Sequence, residues 1–183
     1  LHVHQRVVRL ARRMRLHRAA VALVQGKAPL ASIARDVGYP NLSSFARAFS
    51  EAYESGRFDE AFGVAELEWV ALGPTTSARE RLQAAAVQRI LGHVEAGEPA
   101  AAESVLGAAV AIAPDLASRL ERATCPAIAA VAVRSGDFAR AERAAERYAA
   151  AEPDRVEAAK LASWVASRRR SGPLLPDLGL LPG

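Results

Sequence analysis

Residues 30–53 read LASIARDVGYPNLSSFARAFSEAY, and this stretch organises the rest of the chain. Leu30, Ile33, Ala34 and Val37 recur at helical spacing, giving one apolar face about two turns long. Gly38 follows where a helix ends on a residue that tolerates positive φ. Tyr39 and Pro40 make the turn, and Asn41 suits the N-cap of a second helix. That helix is expected to bury Phe45, Ala48, Phe49, Ala52 and Tyr53, a single face at i, i+3, i+4, i+7 and i+8. Its other face carries Leu42, Ser43, Ala46, Arg47 and Ser50. Two short helices around a tight glycine-containing turn, the second showing small polar residues and an arginine outward, describe a helix-turn-helix. An ordinary αα-hairpin has the same periodicity.

The order of the residues is more specific. Residues 33–49, IARDVGYPNLSSFARAF, resemble the second helix-turn-helix of AraC-type transcription regulators, through Ile33-Ala34, Gly38-Tyr39 and Phe45-Ala46-Arg47-Ala48-Phe49. Residues 13–26, RMRLHRAAVALVQG, are similar to the end of the long helix that joins that family's two units. The resemblance covers about residues 5–53. It departs at Leu42, where the family often has glutamine, and at ESGRFDEAF (residues 54–62), which replaces a Gly-x-x-Pro exit. The family's first unit would lie upstream of Leu1, and the sequence leaves open whether a longer parent chain carries it. The resemblance implies double-stranded DNA as partner, with Asn41, Leu42, Ser43, Ser44, Arg47 and Arg35 as contact residues. Within that reading the helix N-terminus approaches a phosphate. Leu42 reads a thymine methyl, Ser43 and Ser44 hydrogen-bond with little selectivity, and Arg47 reaches a guanine edge or a phosphate. The plain alternative for Arg47 is a salt bridge to Glu51 at i+4.

Charge is placed unevenly. Residues 1–50 hold nine Lys/Arg (Arg6, Arg9, Arg12, Arg13, Arg15, Arg18, Lys27, Arg35, Arg47) against one acid, Asp36. The remainder is slightly acidic. So basic a helical segment fits a nucleic-acid footprint, and a slightly acidic remainder argues against DNA wrapping the whole molecule. Val3, Val7, Leu10, Met14, His17, Val21 and Val24 form the apolar seam of one long helix, with the arginines mainly opposite. Gly26 ends it and Pro29 suits the start of the next.

Composition excludes several classes. Half the residues are hydrophobic (51%) but only 5% are aromatic, and alanine dominates, which favours close-packed helices over sheets. No apolar run approaches the roughly 20 residues of a membrane span. The start lacks a signal-peptide core, so a cytoplasmic location is expected. Cys125 is the single cysteine and reads as a small core residue. No metal, phosphate-loop or nucleophile constellation is present, so no cofactor and no catalysis are expected.

After Tyr53 the chain becomes repetitive. Gly56-Arg57-Phe58-Asp59-Glu60-Ala61, Gly97-Glu98-Pro99-Ala100-Ala101-Ala102 and Gly136-Asp137-Phe138-Ala139-Arg140-Ala141 occupy comparable positions, 41 and 39 residues apart. Pro114 and Pro153 close the second and third helices at the same distance, and Gly73-Pro74 closes the first. This looks like the second-helix half of tetratricopeptide repeats: a glycine turn, an alanine packing point, then a proline stop. Expected first helices are residues 82–95 and 126–133. Because the intervals exceed the usual repeat of about 34 residues, long connectors are expected. A plain antiparallel bundle of alanine-rich helices is the alternative.

The expected molecule is all-α. Residues 1–54 form a helix-turn-helix DNA-binding region with its leading helix, 55–170 a tetratricopeptide-like solenoid of antiparallel helix pairs, and 171–183 a flexible tail. The helix at 41–54 serves both regions, and Trp69 and Trp164 are expected to bury against neighbours. The tail, SGPLLPDLGLLPG, carries leucines able to dock on a partner or on the preceding helices. The function expected is transcription regulation by DNA binding, with no membrane partner and with the C-terminal helices mediating protein contact, self-association or signal response. The competing expectation is a helical-repeat scaffold that never touches DNA.

Overall fold

A computed structural model describes residues 42–171, and among them every regular element is helical. The order is α1 (Leu42–Glu54), α2 (Phe58–Leu72), α3 (Thr76–Glu95), α4 (Pro99–Ile112), a 3-10 turn (Pro114–Leu116), α5 (Ala117–Arg134), α6 (Phe138–Ala151) and α7 (Arg155–Ser171). The all-α expectation therefore holds. The expected long helix at residues 3–24, the first helix of the helix-turn-helix and the tail beyond Ser171 lie outside the described residues. Two compact units divide between Ala86 and Val87, inside α3. In the first, α1 packs on α2; in the second, α5 packs against α4, α6 and α7.

One turn recurs three times with the same geometry. Gly56, Gly97 and Gly136 stand at φ +68°, +76° and +76°. Each glycine N–H donates to the carbonyl three residues back: Tyr53 at 3.0 Å, Val94 at 3.1 Å and Val133 at 3.1 Å. The next N–H, from Arg57, Glu98 or Asp137, donates five residues back at 2.8 Å in every copy. This is a Schellman C-cap, and its left-handed residue explains the glycine. A Cβ added at any of the three would meet nothing within 4 Å, so the requirement is conformational and not steric. Five residues after each glycine, Ala61, Ala102 and Ala141 are fully buried. The helices that follow end at Leu72, Ile112 and Ala151, each two residues before Pro74, Pro114 or Pro153, as the proline stops predicted.

Two expectations need correction. The long intervals are taken up by the first helices, 20 residues in α3 and 18 in α5, while the connectors at 73–75 and 113–116 are short. The helix expected at 126–133 starts at Ala117, and Pro126 lies inside it. An interior proline removes one helical hydrogen bond and costs about 3 kcal/mol. Around it Leu120, Thr124, Cys125, Ile128 and Ala129 are buried, and the packing of α5 on three helices outweighs that cost. Thr124 adds a hydroxyl bond to the Leu120 carbonyl at 2.7 Å. Trp69 and Trp164 are half-buried, not enclosed.

Ion pairs tie neighbouring helices of the second unit. Glu103 on α4 accepts from Arg140 of α6 at 2.8 Å and lies 3.5 Å from Arg143. Glu121 on α5 meets Arg147 at 3.0 Å, and Glu142 on α6 meets Arg169 of α7 at 2.6 Å. Burial pushes the Glu103 carboxyl up, but the hydrogen bonds and charges of Arg140 and Arg143 outweigh it, holding the group below its ordinary value.

Two predictions follow from this packing. Ala102→Leu or Ala141→Leu overpacks a closed turn and should cost about 1–3 kcal/mol, read as a lower melting temperature. Because Glu103 binds its proton less readily folded than unfolded, its contribution is present above about the model-compound value of 4.5 and is lost as pH falls below that through the depressed folded value. Glu103→Gln should therefore lower stability at neutral pH and flatten the loss on acidification. Urea midpoints from pH 7 to 3 check this; parallel curves for both proteins would contradict it.

Candidate nucleic-acid interface

The sequence-predicted face of α1 is the one that folds inward. Phe45, Ala48, Phe49 and Ala52 are buried, and Tyr53 is half-buried. Tyr53 continues an aromatic run: its ring stacks on Phe49 at 5.4 Å and meets the edge of Phe58 on α2 at 5.4 Å. These contacts fix the rotation of α1 about its axis. Ser43, Arg47 and Ser50 consequently share the exposed side, spaced i, i+4 and i+7.

Arg47 is exposed, and no carboxylate among the described residues pairs with it. The salt bridge to Glu51 open to it from sequence does not form. Glu51 instead lies 3.4 Å from Arg57, whose other nitrogen donates to Glu60 at 2.8 Å. The cation next to the turn is thus neutralised while the one on the exposed face is open. No acidic residue stands in the first turn of α1, where the positive end of the helix dipole lies. Glu51 and Glu54 confine any anion-facing surface to the first two turns. Ser44 is half-buried, off the exposed stripe. Asn41 and Arg35 lie outside the described residues, as does the side chain of Leu42.

The support behind α1 includes two residues that sequence reading missed. Glu68 on α2 is fully buried and pairs with Arg81 of α3. The Arg81 guanidinium also lies 6.0 Å from the Phe49 ring centre, so one arginine touches the first three helices. The other Glu68 oxygen is buried without a hydrogen-bond partner among the described residues. A glutamate at an otherwise apolar helix position was the available signal. Elsewhere, burial pushes the Cys125 thiol up to about 12, which fits its reading as a core residue. No cluster able to hold a metal ion occurs among the described residues, and none of their helices is long and apolar enough to cross a membrane.

Residues 1–55 match the family model of a helix-turn-helix domain, in support of the resemblance to AraC-type regulators. The match ends at Ser55, immediately before the first glycine turn. No curated protein and no solved structure matches the chain.

Removing Arg81 leaves a buried carboxylate with no partner. Arg81→Ala should cost about 3–5 kcal/mol, and Arg81→Met with Glu68→Met should recover most of it. Denaturant titration of the two variants checks this, and equal losses in both would contradict it.

Proposed function

We propose that this chain binds double-stranded DNA through the exposed face of α1 and acts in transcription regulation. The observation that carries the reading is Arg47: an exposed guanidinium without a carboxylate partner among the described residues, on a helix whose opposite face is packed. The family match over residues 1–55 and the basic first fifty residues support it. In this reading the leading end of α1 enters the major groove. Its N-terminal N–H groups approach a phosphate, and Ser43 meets a base edge or backbone oxygen. Leu42, Asn41 and Arg35 take the neighbouring contacts that their sequence positions imply. Binding is the whole mechanism, with no catalytic group, and the chain works in the cytoplasm where its DNA is.

The three superposable glycine turns, each with its buried alanine, support a tetratricopeptide-like reading of the helices after α1. Those helices then serve protein contact, self-association or signal response. The same turns favour the second reading, a helical-repeat scaffold that does not bind DNA.

A salt titration on matched duplexes separates the two. With one helix-turn-helix unit, affinity is expected near the nonspecific range of ~10⁻⁴–10⁻⁶ M. Arg47→Ala should weaken binding by ~1–3 kcal/mol at one preferred base step if it reads guanine. If it holds a phosphate, binding weakens evenly and the salt slope falls by about one. Arg122→Ala, an exposed arginine of α5, is the control and should bind as wild type. Identical affinities and slopes for Arg47→Ala and wild type would remove α1 from the interface.

A further inference from the structure

The second unit is not held together evenly. α5 buries Leu120, Ile128, Val131 and Val133, and α4 buries Val105 and Leu106. The buried residues of α6 are Ala141, Ala144 and Ala145, which contribute a methyl group each. Those of α7 are Ala158 and Val165, and α7 packs chiefly on α6. Charge supplies what this thin apolar contact lacks. Glu103 of α4 takes Arg140 at 2.8 Å and Arg143 at 3.5 Å, both from α6. Glu121 of α5 takes Arg147 of α6 at 3.0 Å. The two glutamate side chains are only 26% and 15% exposed, so these pairs are worth more than ordinary surface pairs. The Glu142–Arg169 pair, at 2.6 Å, joins α6 to α7 and does not resist their leaving together.

We propose that α6 and α7 open together from α4 and α5 about the Gly136 turn, with Glu103 and Glu121 as the latch that holds them shut. Gly136, at φ +76°, stands where α5 hands over to α6, and the short connector at 152–154 carries α7 along. Beyond the hinge Asp137 caps the Arg140 N–H at 3.0 Å and pairs with its guanidinium, so α6 keeps its first turn as it moves. The latch covers the part of α5 that carries Cys125. That thiol is buried, lies one helical turn from Glu121, and is within reach of the charges of Arg147 and Glu103. It therefore sits beside both ion-pair sites, and opening uncovers it. Once released, helices of 14 and 17 residues are marginal in water and fray. Such a transition gives the C-terminal helices a means of responding to a signal, and it does not depend on DNA binding by α1.

The test uses the full chain under native conditions and times the reaction of Cys125, its single cysteine, with an aromatic disulfide reagent. Raising sodium chloride from about 0.1 M to about 1 M shortens the screening length from roughly 10 Å to 3 Å and should speed the labelling. Glu103→Gln combined with Glu121→Gln should label about 5–30-fold faster than the unaltered chain. Arg147→Glu should also label faster, and adding Glu121→Arg, which restores the pair in reverse, should bring the rate back down. Amide exchange on the same samples should show α6 and α7 losing protection together while Leu106 and Ile128 keep theirs. Labelling indifferent to salt and to the double substitution would overturn the proposal. Exchange at Leu106 that accelerates in step with α6 would also overturn it, because Cys125 is then reached only by unfolding of the whole unit. If the double variant does not fold, the salt series on the unaltered chain decides between these outcomes.

Discussion

Three of the helix reversals in this chain are closed by a single residue in the left-handed conformation, and in each of them that residue is glycine. At Gly56, Gly97 and Gly136 the same two hydrogen bonds close the preceding helix and start the next. The fully buried alanine five residues later makes that reversal compact, since any larger side chain would hold the backbones apart. Everything else is arranged around these points: the proline stops limit the second helices, and the first helices absorb the length left over. Asp137 adds a side-chain cap to Arg140 N–H that Arg57 and Glu98 do not provide, so the shared feature is backbone geometry and not a common capping residue.

The arginines divide by what they touch. Arg57, Arg81, Arg140 and Arg147 each face a carboxylate on their own turn or an adjoining helix. They hold helices in place and have little charge to offer a ligand. Arg47 is of the other kind. A basic count therefore overstates the field available to DNA, and pairing separates structural cations from those on offer.

The two faces of α1 are separated by packing. Phe45, Phe49 and Ala52 commit one side to the first unit, with the Arg81 guanidinium over Phe49 and the Tyr53–Phe58 contact preventing rotation. The opposite side is then presented in a fixed register, which a recognition surface needs. The buried Glu68 that fixes Arg81 is costly to bury, and such a group contributes a defined arrangement more than net stability.

Helix periodicity in the sequence determined the inner face of α1, the three turns, the proline stops and the all-α class. Each depends on local spacing or on a residue with special backbone freedom. The core reading of Cys125 was legible for the same reason: an apolar face predicts what lies beneath it. The true start of α5 was not legible, because Pro126 signals a boundary locally while burial on three helices overrides it. Nor was the choice of Glu51 between Arg47 and Arg57, which both lie within reach along the chain. Only the folding of α2 against α1 brings Arg57 to Glu51 and leaves Arg47 open. The Glu68–Arg81 pair and its contact with Phe49 likewise join residues far apart in sequence, and distance across the fold, not spacing along it, decides such pairs.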